Sequence, residues 1–146
     1  MMKKDEAIAT LIHYRIEQAE SAIKDAYCLL SGSGSPESII NRSYYAMFYA
    51  TLALMLRIGK AFSKHAGAIG AFDKEFVHKG LLPKELSADL HKVFELRQDH
   101  DYKIISNPSV DEAKITVSKA ERFVSAVKEY LMDYFDNLKT VNHEKD

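Results

Sequence analysis

Apolar residues recur at helical spacing along the whole chain, and Gly- or Pro-bearing breaks cut that pattern into segments. No long stretch alternates at the two-residue period of a half-buried strand, so the sequence requires no sheet. Ile8, Leu11, Ile12, Ala19, Ala22, Ile23, Ala26, Leu29 and Leu30 trace one face of a first helix, on which Cys28 also reads as lying. That helix ends before Ser31-Gly32-Ser33-Gly34. Ser35-Pro36 then offers an N-cap and a first-turn proline, and a second helix runs from Ile39 through Ile58 to Gly59. The first two helices therefore form an antiparallel hairpin.

Ala68, Ile69, Phe72, Phe76 and Val77 predict a shorter third helix stopping at Gly80. Pro83 opens a fourth that carries Leu86, Leu90, Val93 and Phe94. Asn107-Pro108 forbids its simple continuation. Ser109 with Glu112 makes a capping box for a fifth helix, whose apolar residues are Ile115, Val117, Ala120, Phe123, Val124, Val127, Tyr130, Leu131 and Tyr134. The expected fold class is all-α, an up-and-down bundle of about four long helices plus a short one. With 146 residues, 47% of them hydrophobic, residues 1–138 are expected to fold as a single domain, followed by a polar C-terminal tail at 139–146.

Charge narrows the classes of function. Lys and Arg number 20 against 21 Asp and Glu, so no global positive field gathers duplex DNA, and bulk duplex binding is not expected. The lone cysteine excludes an intramolecular disulfide and any multi-cysteine zinc site, and fits a reducing cytoplasm. No apolar run is long enough for a membrane span. No cofactor is expected: Ser63-Lys64-His65-Ala66-Gly67 lacks the Gly-rich loop with Lys-Ser or Lys-Thr that cradles a nucleotide phosphate, and reads as a capped helix start. Nor is a metal, since His65 and His78 are too far apart for a one-turn chelate, and His13 and His91 each stand alone.

Two stretches carry chemistry. Arg97-Gln98-Asp99-His100-Asp101-Tyr102 crowds a guanidinium, an imidazole, carboxylates and a phenol at the end of the fourth helix. Arg97 suits a phosphate oxygen, and His100 or Asp101 suits proton transfer near neutral pH. On the second helix Tyr44, Met47 and Phe48 share one face, with Asn41, Tyr45 and Tyr49 along the next stripe. Apolar residues at that spacing usually serve burial, whereas Asn41 and Arg42 need polar partners, for which the Arg97 to Tyr102 cluster is the candidate. Exposed aromatic residues of the second or fifth helix suit a homodimer seam.

These motifs, in order, carry a resemblance. Arg42-Ser43-Tyr44-Tyr45-Ala46-Met47-Phe48, then Ser63-Lys64-His65, then Phe76-Val77-His78-Lys79-Gly80-Leu81-Leu82-Pro83, then Arg97 with Asp101-Tyr102, resemble the higher eukaryotes and prokaryotes nucleotide-binding (HEPN) domain over roughly residues 5 to 135. The closer likeness is to the small prokaryotic branch associated with minimal nucleotidyltransferases. The resemblance implies a helical bundle, a homodimer, a nucleotidyltransferase partner, an RNA or nucleotide ligand, and a place in a toxin and antitoxin system. For many members it also implies metal-independent RNA cleavage by an Arg and a His separated by four to six residues. Here only Gln98 and Asp99 intervene between Arg97 and His100.

Two readings of the cluster follow. In the first, Asn41, Arg42, Tyr45, Asp101 and Tyr102 bind a ligand or partner, with Arg97 paired to Asp101 and Tyr102 anchoring the helix end. In the second, the chain is an endoribonuclease in which His100 takes the proton of an RNA 2′-hydroxyl and Arg97 stabilises the charged phosphorane.

Overall fold

The computed structural model describes residues 3–102 and 107–144, with side chains at 3–98 and 107–136. Five helices occur: α1 Lys4–Ser31, α2 Pro36–Arg57, α3 His65–Phe72, α4 Lys84–Tyr102 and α5 Val110–Glu144. No strand is present among the described residues. The fold is an all-α bundle. The α1/α2 hairpin is its most extensive pairing, and α2 is the shared element, packed on α1, α3, α4 and α5.

The helix ends follow local chemistry. Ser35 caps α2, its Oγ accepting from the Ser38 amide at 3.2 Å, and Pro36 occupies the first turn, where its missing N–H costs nothing. Between α1 and that cap, Ser33 takes a positive φ of 60°, and Gly34 lies so close to Leu29 that a Cβ there would meet its side chain at 2.9 Å. Gly59 and Gly80 close their segments with φ of 71° and 74°, in the left-handed region that other residues resist. At the start of α5 the Glu112 amide donates to Ser109 Oγ at 3.0 Å.

The core runs through all five helices. Ile12, Tyr44, Leu54, Phe72, Leu90, Phe123 and Leu131 are fully buried within it. A smaller cluster of Ala26, Ile39, Ile40, Ala113 and Val117, with Leu96 against it, joins the C-terminal part of α1 to the starts of α2 and α5 and to the late part of α4. Polar links reinforce the edges. Asp89 on α4 is nearly buried and accepts from Arg122 Nη2 on α5 at 2.6 Å, and Tyr27 of α1 donates to Glu121 of α5.

Several expectations from the sequence are corrected. Cys28 is exposed, because the face of α1 that meets the bundle is set by Ile12, Ile16, Ala19, Ala22 and Ala26. Leu11 (49%) and Ile115 (57%) also lie on the outer surface. The third helix is not regular: α3 ends at Phe72, and Asp73–Val77 form a wider π-helical turn. Phe72 and Phe76 are both buried in the core, while Asp73 faces α4 and accepts from Ser87 Oγ at 2.6 Å. His91 does not stand alone, since its Nε2 meets Asp73 Oδ2 at 2.6 Å. Nor does His13, which stacks on Phe135 with ring centroids 4.7 Å apart. No helix among the described residues is long and apolar enough to cross a membrane.

Candidate functional site

The aromatic stripe of α2 divides by depth. Tyr44, Met47 and Phe48 are buried, whereas Asn41, Arg42, Tyr45 and Tyr49 sit half-buried at the rim. Over this rim come the start of α3 and the last turns of α4, bringing His65 and Arg97 against the same tyrosines.

Arg97 is held by shape. Its guanidinium carbon lies 4.9 Å from the Tyr44 ring centroid and 5.2 Å from that of Tyr45, and Nη2 donates to Tyr45 Oη at 3.2 Å. Its Nε is buried, with no hydrogen-bond partner among the described residues. Aromatic faces therefore orient the positive charge of Arg97. Arg42 adds a second cation, with its guanidinium carbon 5.2 Å from the Tyr45 ring centroid and Nη2 donating to Asn41 Oδ1 at 3.1 Å. Among the described residues the polar partner of Asn41 is its own neighbour Arg42, and Arg97 meets α2 at Tyr44 and Tyr45.

His65 is a residue that the sequence offers only within the Ser63-Lys64-His65 stretch, with nothing to join it to Tyr44 or Arg97. It is the first residue of α3, and Lys64 before it makes no side-chain cap, contrary to the expected capped start. Its ring stacks on Phe48 with centroids 3.9 Å apart, and its Nδ1 lies 2.6 Å from Tyr44 Oη. Burial holds the His65 pKa below its usual value, and the Arg97 charge lowers it further. Burial also pushes the Tyr44 phenol well above its ordinary range, more strongly than Arg97 pulls it down. Near neutral pH the pair is therefore a protonated phenol and a neutral imidazole.

The expected residues are only partly assembled by what is described. Arg97, Tyr45, Arg42 and Asn41 form one continuous rim. The α4 backbone remains helical through Tyr102, which keeps Arg97 and His100 three residues apart on a helix. The side chains of His100, Asp101 and Tyr102, and with them the expected Arg97 to Asp101 pair, lie outside the described residues. Arg42 and Tyr49 continue the rim into a groove of about 200 Å³ that Gln18, Ser21 and Asp25 of α1 complete. A larger cavity of about 300 Å³, lined by Ile8, Ile12, Arg57, Tyr134 and Phe135, lies farther along α2 and shares no residue with this site.

The same chain segments align with known proteins. A family model described as HEPN domain matches residues 12–130. The chain is similar to a "UPF0332 protein" of Thermotoga maritima, 37% identical over 123 residues, which span 84% of this chain and 92% of the relative. It is also similar to two Methanocaldococcus jannaschii proteins. One, named "Putative toxin MJ0142", is 31% identical over 117 residues, 80% of this chain and 79% of the relative. The other, named "Putative toxin MJ0605", is 31% identical over 133 residues, 91% of this chain and 96% of the relative.

Proposed function

Because the chain belongs to the HEPN domain family, we propose that it is a toxin-like HEPN protein whose Arg97 rim binds the phosphate of an RNA or nucleotide. The observation that carries this reading is the guanidinium of Arg97 laid over Tyr44 and Tyr45, with the second guanidinium of Arg42 on the same Tyr45 ring. A planar cation fixed in this way recognises phosphate oxygens with little rearrangement, and the half-buried tyrosines beside it provide faces on which a base can stack. The names of the two archaeal relatives support the toxin-like part. Asn41, Arg42 and Tyr45, with Asp101 and Tyr102 on α4, complete the proposed binding surface. The protein works as a homodimer in the cytoplasm, beside a minimal nucleotidyltransferase partner.

The second reading is an endoribonuclease that uses Arg97 and His100, favoured by the helical course of α4 through both residues. One experiment addresses both readings. Purified protein, Arg97→Ala and His100→Ala are titrated with labelled single-stranded RNA and with nucleotides, and the RNA products are analysed for a cyclic phosphate end. Binding that weakens by about tenfold or more in Arg97→Ala, without cleavage, is the expected result. Cleavage lost in both variants replaces it with the nuclease reading. Wild-type protein that binds neither RNA nor nucleotide overturns the ligand assignment.

A further inference from the structure

We infer that His65 and Arg97 together form a phosphate-binding pair, in which Tyr44 fixes the imidazole so that its Nε2–H points a hydrogen-bond donor at the anion. This inference rests on the phosphate-binding reading of Arg97 and adds a second group from another helix, 32 residues away in sequence. Tyr44 anchors the imidazole. Its side chain is fully buried, so its hydroxyl proton needs an acceptor, and the acceptor at 2.6 Å is Nδ1 of His65. When Tyr44 donates to Nδ1, the imidazole proton resides on Nε2, because a neutral ring carries only one. The other tautomer would place Nδ1–H against the phenol oxygen and leave the Tyr44 proton without the partner it has here.

The surroundings favour the neutral ring independently of the hydrogen bond. His65 begins α3, where the positive end of the helix dipole opposes a further positive charge. From α2 it faces Tyr44, Tyr45 and Phe48, and from α4 it feels the Arg97 cation. Lys64 precedes it, and no carboxylate is paired with it among the described residues. Stacking on Phe48 at 3.9 Å sets the plane of the ring, and the same Tyr44 ring that engages His65 also supports Arg97. The pair is thus one permanent cation and one neutral donor held on a common aromatic floor. Such a pair binds an RNA phosphodiester without first requiring a proton on the imidazole, so its affinity stays level across the neutral range, where a histidine that needs its proton would release the ligand on losing it.

Nitrogen-15 NMR of the full chain tests this directly, with inorganic phosphate and then a short single-stranded RNA as probes. The expected spectrum shows the His65 proton on Nε2 at pH 7, a shift of that signal on adding phosphate, and loss of the phosphate response in Arg97→Ala. Tyr44→Phe, which keeps the ring and removes the hydroxyl, is expected to give a mixture of His65 tautomers and about tenfold weaker phosphate binding. A thermal melt of each variant checks that the fold is kept. A proton found on Nδ1, or a His65 signal unmoved by phosphate, overturns the inference. RNA that binds through Arg97 while leaving His65 unmoved overturns it too, but spares the functional reading above. Phosphate that shifts His65 in a protein with no affinity for RNA or nucleotide does the reverse.

Discussion

At the scale of single residues, the site joins groups whose sequence signals differ greatly in strength. Arg97 and Tyr45 stand out because a guanidinium amid polar residues and a tyrosine beside Arg42 are unusual on otherwise apolar helices. His65 shows only as part of the Ser63-Lys64-His65 stretch. It follows a lysine that provides no cap, and its meaning comes from Tyr44, 21 residues earlier, and Arg97, 32 residues later. Periodicity relates neighbours within a helix and is blind to contacts between helices. His65 also makes a prediction for stability. Its folded pKa is depressed, so the unfolded chain binds more protons once pH falls below its ordinary value of about 6.5. The stabilising contribution is present above that pH and disappears as pH falls through the folded pKa. Urea midpoints at pH 7.5 and 5.5 are expected to differ less in His65→Asn than in wild type, and an equal difference would contradict the burial of a neutral ring.

At the scale of elements, chain punctuation proved more legible than facing. Ser35-Pro36 and Ser109 mark helix starts through chemistry that acts within four residues, so their roles are readable without tertiary information. Ser109→Ala is expected to destabilise the protein by about 1 kcal/mol, measured by denaturant unfolding, since it removes the acceptor for the Glu112 amide. A change below a few tenths would mean that water replaces the cap fully. Facing is harder because only part of an apolar stripe finds a neighbouring helix. On α1 the bundle takes Ile12 and Ile16 and leaves Leu11 and Cys28 outside. The π-helical turn was illegible for a related reason. Its wider hydrogen bonding is selected by what Phe72, Phe76 and Asp73 touch, and not by the residue types alone.

At the scale of the whole molecule, the all-α architecture was legible because every long segment is helical by period and the breaks between segments are chemically plain. What holds it together is the contact of α2 with every other helix, through a core where Phe123 of α5 packs on Phe72 of α3 with centroids 5.3 Å apart. Phe123→Ala is expected to cost about 3–5 kcal/mol, read from the shift in unfolding midpoint, because the ring is fully enclosed. A loss under 1 kcal/mol would show that the helices close over the vacancy. The wider turn at Asp73–Val77 bears on how such a chain changes length over evolutionary time. The π-helical turn ends the α3 segment, and a non-helical stretch separates it from the start of α4 at Lys84. A residue added or lost in that stretch alters a connection and leaves the helical phase of α3 and α4, and with it their core-facing side chains, unchanged.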